Sequence, residues 1–342
     1  MTEHLNQPPA GLSRTAIYVA AGRAVGAREK DVNVRNPDYL AEKLLGDLPE
    51  LRLDHPVVRA LDLDYETAMQ DIEVVINVRM MIVRTRFIDE ALERAITAGA
   101  TQVMILGAGF DTHAYRFQDL LAQARVFEVD RPALQALKRQ RVNDVLGGPP
   151  ANLNYVEIDF QHEALPDVLA RHGYDPSRKT FFILEGVTMY LTEESLRTTF
   201  GFIATHATGS TVVFDFVYQS MVDILNQIDT NTVHPLARAS IERFRDLVRD
   251  EPWQFGFPPE EERDYLRELG LQVQEILPID GEAYRRYLTR TDGSMQGAEA
   301  IAALKARMKP DNQVNETSSE KFQERINKMQ RYMAYQLAEA VV

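Results

Sequence analysis

Five short apolar runs alternate with helical segments between residues 102 and 216, and this alternation constrains the fold more than any other feature of the chain. The runs are residues 102–106, 125–130, 154–159, 180–185 and 210–216. Each is nearly continuous in Val, Ile, Leu, Met or Phe, as strands buried on both faces must be. Helical stretches such as 131–145 and 193–206 lie between them. Such alternation predicts βαβ units and a parallel sheet. Residues 271–277 read as a sixth strand, and residues 332–338 fit either a helix or a final strand.

The flanking regions read differently. Residues 1–14 are polar and contain Pro8 and Pro9, so they are expected to be disordered or extended. Small apolar residues from Thr15 to Arg28 predict a packed helix, a short helix follows at 39–45, and helical periodicity runs from about Asp64 to Ala98. Residues 218–250 read as amphipathic helix broken at His234-Pro235, and 260–269 as a helix closed by Gly270. Residues 281–316 read as irregular, apart from a helix near 298–308, and 319–329 reads as helical. The expected organisation is an N-terminal helical cap (1–98), a core (99–217), an inserted helical lid (218–257) and a segment completing the sheet (258–342).

Composition removes several function classes. The 342 residues carry 38 basic and 51 acidic side chains, a formal net charge of −13, with no basic run of the kind that binds nucleic acid. With no cysteine, thiolate metal sites and cysteine nucleophiles are excluded. The histidines lack paired metal-ligand spacing, so no metal is expected. No signal peptide is legible, and no stretch approaches the roughly 18 apolar residues of a membrane span. A cytoplasmic protein acting on a small molecule, without nucleic-acid or membrane partners, is the expectation; monomer and oligomer stay open.

The first strand runs directly into Gly107-Ala108-Gly109-Phe110-Asp111. Glycines there let the backbone bend and approach a ligand where a side chain would collide. The second strand ends in Glu128-Val129-Asp130, about 20 residues beyond the loop, where an acid can accept ribose hydroxyls. Asp159 with Phe160 ends the third strand and suits adenine, and Glu185-Gly186 ends the fourth. Acids thus gather on the rim where open α/β sheets bind ligands. A dinucleotide fingerprint would place a third glycine at Thr112, and Asp111 would repel a pyrophosphate. A sulfonium carrying an ammonium group tolerates that acid. S-adenosylmethionine (SAM) is therefore favoured over NAD, which stays as the alternative, together with a SAM-binding protein that performs no catalysis.

These residues carry a resemblance. Ser13-Arg14-Thr15-Ala16, Ala20-Ala21-Gly22-Arg23-Ala24, Val83-Arg84-Thr85-Arg86-Phe87-Ile88-Asp89, residues 105–116, Phe127-Glu128-Val129-Asp130, Glu185-Gly186-Val187-Thr188-Met189-Tyr190-Leu191 and Pro252-Trp253-Gln254-Phe255-Gly256 appear in this order. The chain resembles the leucine carboxyl methyltransferase superfamily, in particular its bacterial branch of tetracenomycin-type polyketide O-methyltransferases, over roughly residues 12–280. The resemblance implies a Rossmann-like class I SAM-dependent methyltransferase fold, a seven-stranded, mostly parallel sheet with helices on both faces. It also implies that 332–338 is the last strand. It implies Arg84 (or Arg86) and Arg14 at the SAM carboxylate, Gly107 along the methionine portion, Ala108, Gly109 and Asp111 as further cofactor contacts, Asp130 or Glu128 at the ribose, Asp159 and Phe160 at the adenine, and Glu185 at the amine. The product would be S-adenosylhomocysteine (SAH).

Many bacterial relatives carry arginine where His113 stands, which leaves a substrate role there open. Arg84 sits in an apolar helical run and needs an anionic partner. Arg116 is expected to pair with Asp111 or another acid. Tyr190 either positions the acceptor oxygen or packs under the cap, and Tyr18, Tyr218 and His234 are further candidates for acceptor contact. If the acceptor is a hydroxyl, His113 or His234 would serve as base; a carboxylate acceptor needs none.

Overall fold

The computed structural model describes residues 13–46, 53–158, 162–233, 235–307 and 335–342. Seven strands form one sheet: β1 (Gln102–Leu106), β2 (Arg125–Asp130), β3 (Leu153–Glu157), β4 (Thr180–Leu184), β5 (Thr211–Phe216), β6 (Gln272–Pro278) and β7 (Gln336–Val341). Their order is β3-β2-β1-β4-β5-β7-β6. The first five are parallel, and β7 inserts antiparallel between β5 and β6. This is the seven-stranded sheet of the Rossmann-like class I methyltransferase fold. The final strand lies at 336–341, later than the expected 332–338, and Tyr332 falls outside the described residues along with the predicted helix 319–329 and the extended 1–12.

Successive side chains of each strand face opposite sides of the sheet. Val103, Ile105, Val126, Phe181, Ile183 and Val213 pack against one set of helices, including α1 (Arg14–Gly26), the short α2 (Ala41–Leu45), α3 (Pro56–Arg59), α4 (Tyr65–Ala68) and the long α5 (Ile72–Thr97). Met104, Leu106, Phe127, Phe182, Phe214 and Phe216 pack on the other face. The remaining helices follow in order: α6 (His113–Arg116), α7 (Pro132–Leu146), α8 (Leu165–Arg171), α9 (Glu193–Ala204), α10 (Gln219–Gln227), α11 (Pro235–Leu247), α12 (Glu262–Glu268), α13 (Gly281–Tyr287) and α14 (Ala298–Arg307).

Two expectations are corrected. The helix expected over 64–98 is two helices, because Asp71 takes a non-helical conformation and its side chain accepts from Glu73 N, capping α5. Residues 281–287, expected to be irregular, form α13 behind the Asp280 cap. Seven residues are too few turns to show a period.

Glycine decides how α1 meets α5. A Cβ on Gly22 would lie 1.7 Å from Asn77 Oδ1, and one on Gly26 would lie 3.3 Å from Val78 Cγ1. The helices approach so closely that only glycine fits at residue 22. This brings the cap region against the C-terminal rim of the sheet, where the charged residues collect.

Candidate functional site

Strand order reverses between β1 and β4, so the loops after these strands diverge and leave a crevice, the usual ligand position in an open α/β sheet. Gly107 has φ +69°, a conformation L side chains rarely adopt, and a Cβ there would lie 2.7 Å from Val187 Cγ2. The loop is held by β2: Gly109 N donates to Asp130 Oδ2 at 2.6 Å, and Arg131 N donates to Asp130 Oδ1 at 2.7 Å.

A chain of buried ion pairs lines the crevice. Asp38 pairs with Arg23 at 2.9 Å, and Arg23 reaches Glu185 at 3.3 Å. Arg84 bridges Glu185 at 2.8 Å and Asp215 at 3.0 Å. Asp215 Oδ1 also accepts from Gly186 N at 2.6 Å, and Arg23 donates to the Phe110 carbonyl at 2.7 Å, so the network ties down both crevice loops. A second arm runs Asp111–His113 at 2.7 Å, His113–Asp89 at 3.0 Å and Arg116–Asp89 at 2.7 Å. Five carboxylates (Asp38, Asp89, Asp111, Glu185, Asp215) face four cations (Arg23, Arg84, His113, Arg116), a formal balance of −1. Asp130, held by backbone N–H groups, brings it to −2.

Burial opposes a charge on His113, but Asp111 and Asp89 outweigh it and hold the imidazole up at about 9. Burial likewise acts against the Glu185 carboxylate, yet Arg84 and Arg23 keep it below its ordinary value. Asp215 and Asp130 are raised, in both cases by burial. Burial also pushes Glu128 up to about 7 against the pull of Lys138.

Several expectations change here. Arg84 does have anionic partners, but they are Glu185 and Asp215; its side chain is 2 % exposed and already doubly paired. Arg86 points elsewhere, donating to the carbonyls of Val32 and Arg35. Arg14 pairs with Asp246 of α11 at 2.7 Å. Glu128 is fully buried against Lys138 at 2.7 Å, which leaves Asp130 as the acid of β2 that faces the glycine loop. His113 cannot serve as a base while it is charged and held between two carboxylates. Tyr218 belongs to the core, 1 % exposed beside Phe216, with its hydroxyl donating to Glu262 at 3.3 Å. Arg116 pairs with an acid as expected, and that acid is Asp89. Asp159, Phe160 and His234 lie outside the described residues.

Arg23, Asp38, Asp89 and Asp215 complete the network without having been singled out. Asp215 stands one residue before the end of β5, much as Asp130 ends β2, and the same acid-at-strand-end reasoning would have found it. Asp111, His113 and Glu185 place candidate metal-ligand atoms within 4.8 Å of one another. Both His113 nitrogens face carboxylates and Glu185 faces two guanidiniums, so coordination would have to break those pairs. No helix among the described residues is long and apolar enough to cross a membrane.

The leucine carboxyl methyltransferase family model matches residues 16–204. A candidate SAM-dependent methyltransferase of Bacillus subtilis is 30% identical over 205 residues, covering 58% of this chain and 63% of that protein. Another, from Mycolicibacterium vanbaalenii, is 34% identical over 223 residues, covering 61% of this chain and 68% of that protein. The chain spans about two thirds of the length of the curated relatives it matches. A solved candidate methyltransferase from Thermobifida fusca has a TM-score of 0.47 at 15% identity, covering 93% of this chain and 97% of that one.

Proposed function

Because the chain belongs to the leucine carboxyl methyltransferase family, we propose that it is a SAM-dependent O-methyltransferase of a small acidic or polyketide-like metabolite, with a carboxylate or hydroxyl oxygen as acceptor. The observation that carries this reading is the surplus of negative charge around the glycine-lined crevice. A ligand with an ammonium and a sulfonium against one carboxylate balances part of that surplus; a pyrophosphate would add to it.

The site has the groups such a ligand requires. Asp130 would accept from the ribose, Gly107, Ala108 and Gly109 would admit the methionine portion, and Asp111 and Glu185 would face its ammonium. Arg14 would meet its carboxylate by leaving Asp246, and Arg84 would meet it by giving up one of its two pairs, with Glu185 or Asp215. Asp159 and Phe160 keep the adenine role the resemblance implies. Bound SAM supplies an electrophilic methyl group on a sulfonium. The chain must then hold the acceptor oxygen in line and exclude water. Residues 218–257 suit that task as a lid, since Glu251 accepts from Ser13 Oγ at 2.7 Å and Asp246 holds Arg14. With His113 held as a cation, an acceptor ionised by its own acidity fits best.

Thermal unfolding with SAM, SAH and NAD tests the assignment, because a ligand that binds only the native state raises Tm. Stabilisation by SAM and SAH with none by NAD is expected. Stabilisation by NAD alone would overturn it.

A further inference from the structure

Lys138 lies fully buried two turns into α7, and its ammonium pairs with Glu128 Oε2 at 2.7 Å. A buried pair of this kind seldom stabilises a fold more than apolar residues of similar volume would. Stability alone therefore gives no reason for a lysine at this place. Its surroundings give another.

Three features aim the charge at the cofactor crevice. Glu128 and Asp130 are alternate residues of β2, so they share one face of the sheet. α7 begins two residues after Asp130 and turns back along β2, where Gln135 pins it by donating to the carbonyls of Glu128 at 2.7 Å and Val156 at 3.0 Å. Side chains of a helix lean toward its N-terminus. The Lys138 stem thus leads from α7 toward the rim where Asp130 stands. On the other side the ammonium lies over the ring of Tyr115, 5.6 Å from its centre, and Tyr115 belongs to α6 just beyond the glycine loop.

Asp130 needs both of its oxygens to hold a ribose. Oδ2 accepts from Gly109 N and Oδ1 from Arg131 N, and each carboxylate oxygen keeps a second acceptor position. Two vicinal hydroxyls can then donate one to each oxygen. A proton on Asp130 would occupy one of those positions. Burial favours that proton; the Gly109 and Arg131 N–H groups, the Arg131 guanidinium and the Lys138 ammonium oppose it. The Arg131 side chain is turned to solvent and pairs with Glu251, so Lys138 supplies the buried part of that opposing charge. Glu128 and Asp111 are the anions that compete with Asp130 for it.

We propose that Lys138 is a positioning residue of the cofactor site: held behind β2 by Glu128, its ammonium keeps Asp130 ionised, so that both oxygens accept from the ribose diol. The inference rests on the methyl-transfer reading. Glu128, two residues before Asp130 on the same face, holds the lysine and not the ribose.

The test compares the full chain as wild type, Glu128→Gln and the double variant Glu128→Gln/Lys138→Met, with SAH affinity measured by calorimetry from pH 5.5 to 7. Removing both members of the pair orphans no buried charge, so the double variant should fold, which thermal unfolding checks. It should bind SAH roughly tenfold more weakly than Glu128→Gln at pH 5.5, the scale of a charged acceptor turned neutral. Its affinity should also climb more steeply with pH than that of Glu128→Gln, which a packing defect would not cause. Equal affinity and equal pH dependence in the two variants would overturn the proposal and leave the cofactor reading in place. A loss of the same size at every pH would overturn it too, as the mark of a packing role. If wild type binds no SAH at any pH, the methyltransferase reading falls and the role of Lys138 falls with it.

Discussion

His113 Nδ1 lies 2.7 Å from Asp111 Oδ2, so the first residue of the helix after the glycine loop is an ion-pair partner of the loop's own acid. Asp89 faces the other ring nitrogen at 3.0 Å, and the imidazole is held as a cation.

This pairing makes stability depend on pH in a defined window. The folded-state value of His113 is raised to about 9 from 6.5. Its contribution is therefore complete below pH 6.5 and is lost as pH rises through 9. Tm measured from pH 6 to 10 should fall through that window in wild type and be flatter in His113→Gln. Parallel profiles would mean that the imidazole is neutral in the folded protein.

Arg84 is the hinge of the other arm. Arg84→Met leaves Asp215 buried without its cation and Glu185 with only the longer pair to Arg23, and breaking such a buried pair costs about 3–5 kcal/mol. Arg84→Lys should restore only part of this, because an ammonium cannot bridge both carboxylates with a guanidinium's geometry. Urea denaturation measures both; wild-type stability in Arg84→Met would refute the pairing.

Gly22 and Asn77 should be coupled. Gly22→Ala places a Cβ 1.7 Å from Asn77 Oδ1, so either the Asn77 side chain or α1 itself must shift, at a cost of about 1–3 kcal/mol. Removing the amide in Asn77→Ala relieves that clash. A double-mutant cycle by denaturation should give a coupling of about 1 kcal/mol or more, and additive effects would contradict the close approach.

Much of the core was legible because buried parallel strands are apolar runs with sharp ends. β1 and β2 fall on the residues read from sequence, and β4 and β5 fall within one residue of their expected ends. β7 was ambiguous because Gln336, Glu339 and the small Ala338 and Ala340 give no alternating pattern; pairing between β5 and β6 settles it. Glu128 and Asp130 were indistinguishable as ribose acids, because both project from one strand two residues apart. Only the position of Lys138, on α7, separates them. Tyr218 was read as part of the inserted segment, although it precedes α10 and packs beside β5 residue Phe216.

The inserted segment is fastened by a small apolar cluster that includes Val222, Leu225, Val248 and Trp253, and by polar contacts at its edge. Glu251 accepts from Ser13 and pairs with Arg131, and Arg243 pairs with Glu73. Pairs this exposed contribute about 0–1 kcal/mol each. Glu251→Gln should leave global stability nearly unchanged while speeding hydrogen exchange across 235–251. Unchanged exchange would show that the segment is held by other means.

Calorimetric titration of wild type and Asp130→Ala with SAM tests the central claim most directly. Wild type should bind SAM at a single site. The variant should bind roughly 10–100-fold more weakly, as loss of a charged hydrogen-bond acceptor implies. Absence of binding by wild type, or equal affinity in Asp130→Ala, would contradict the placement of the cofactor in the crevice between β1 and β4.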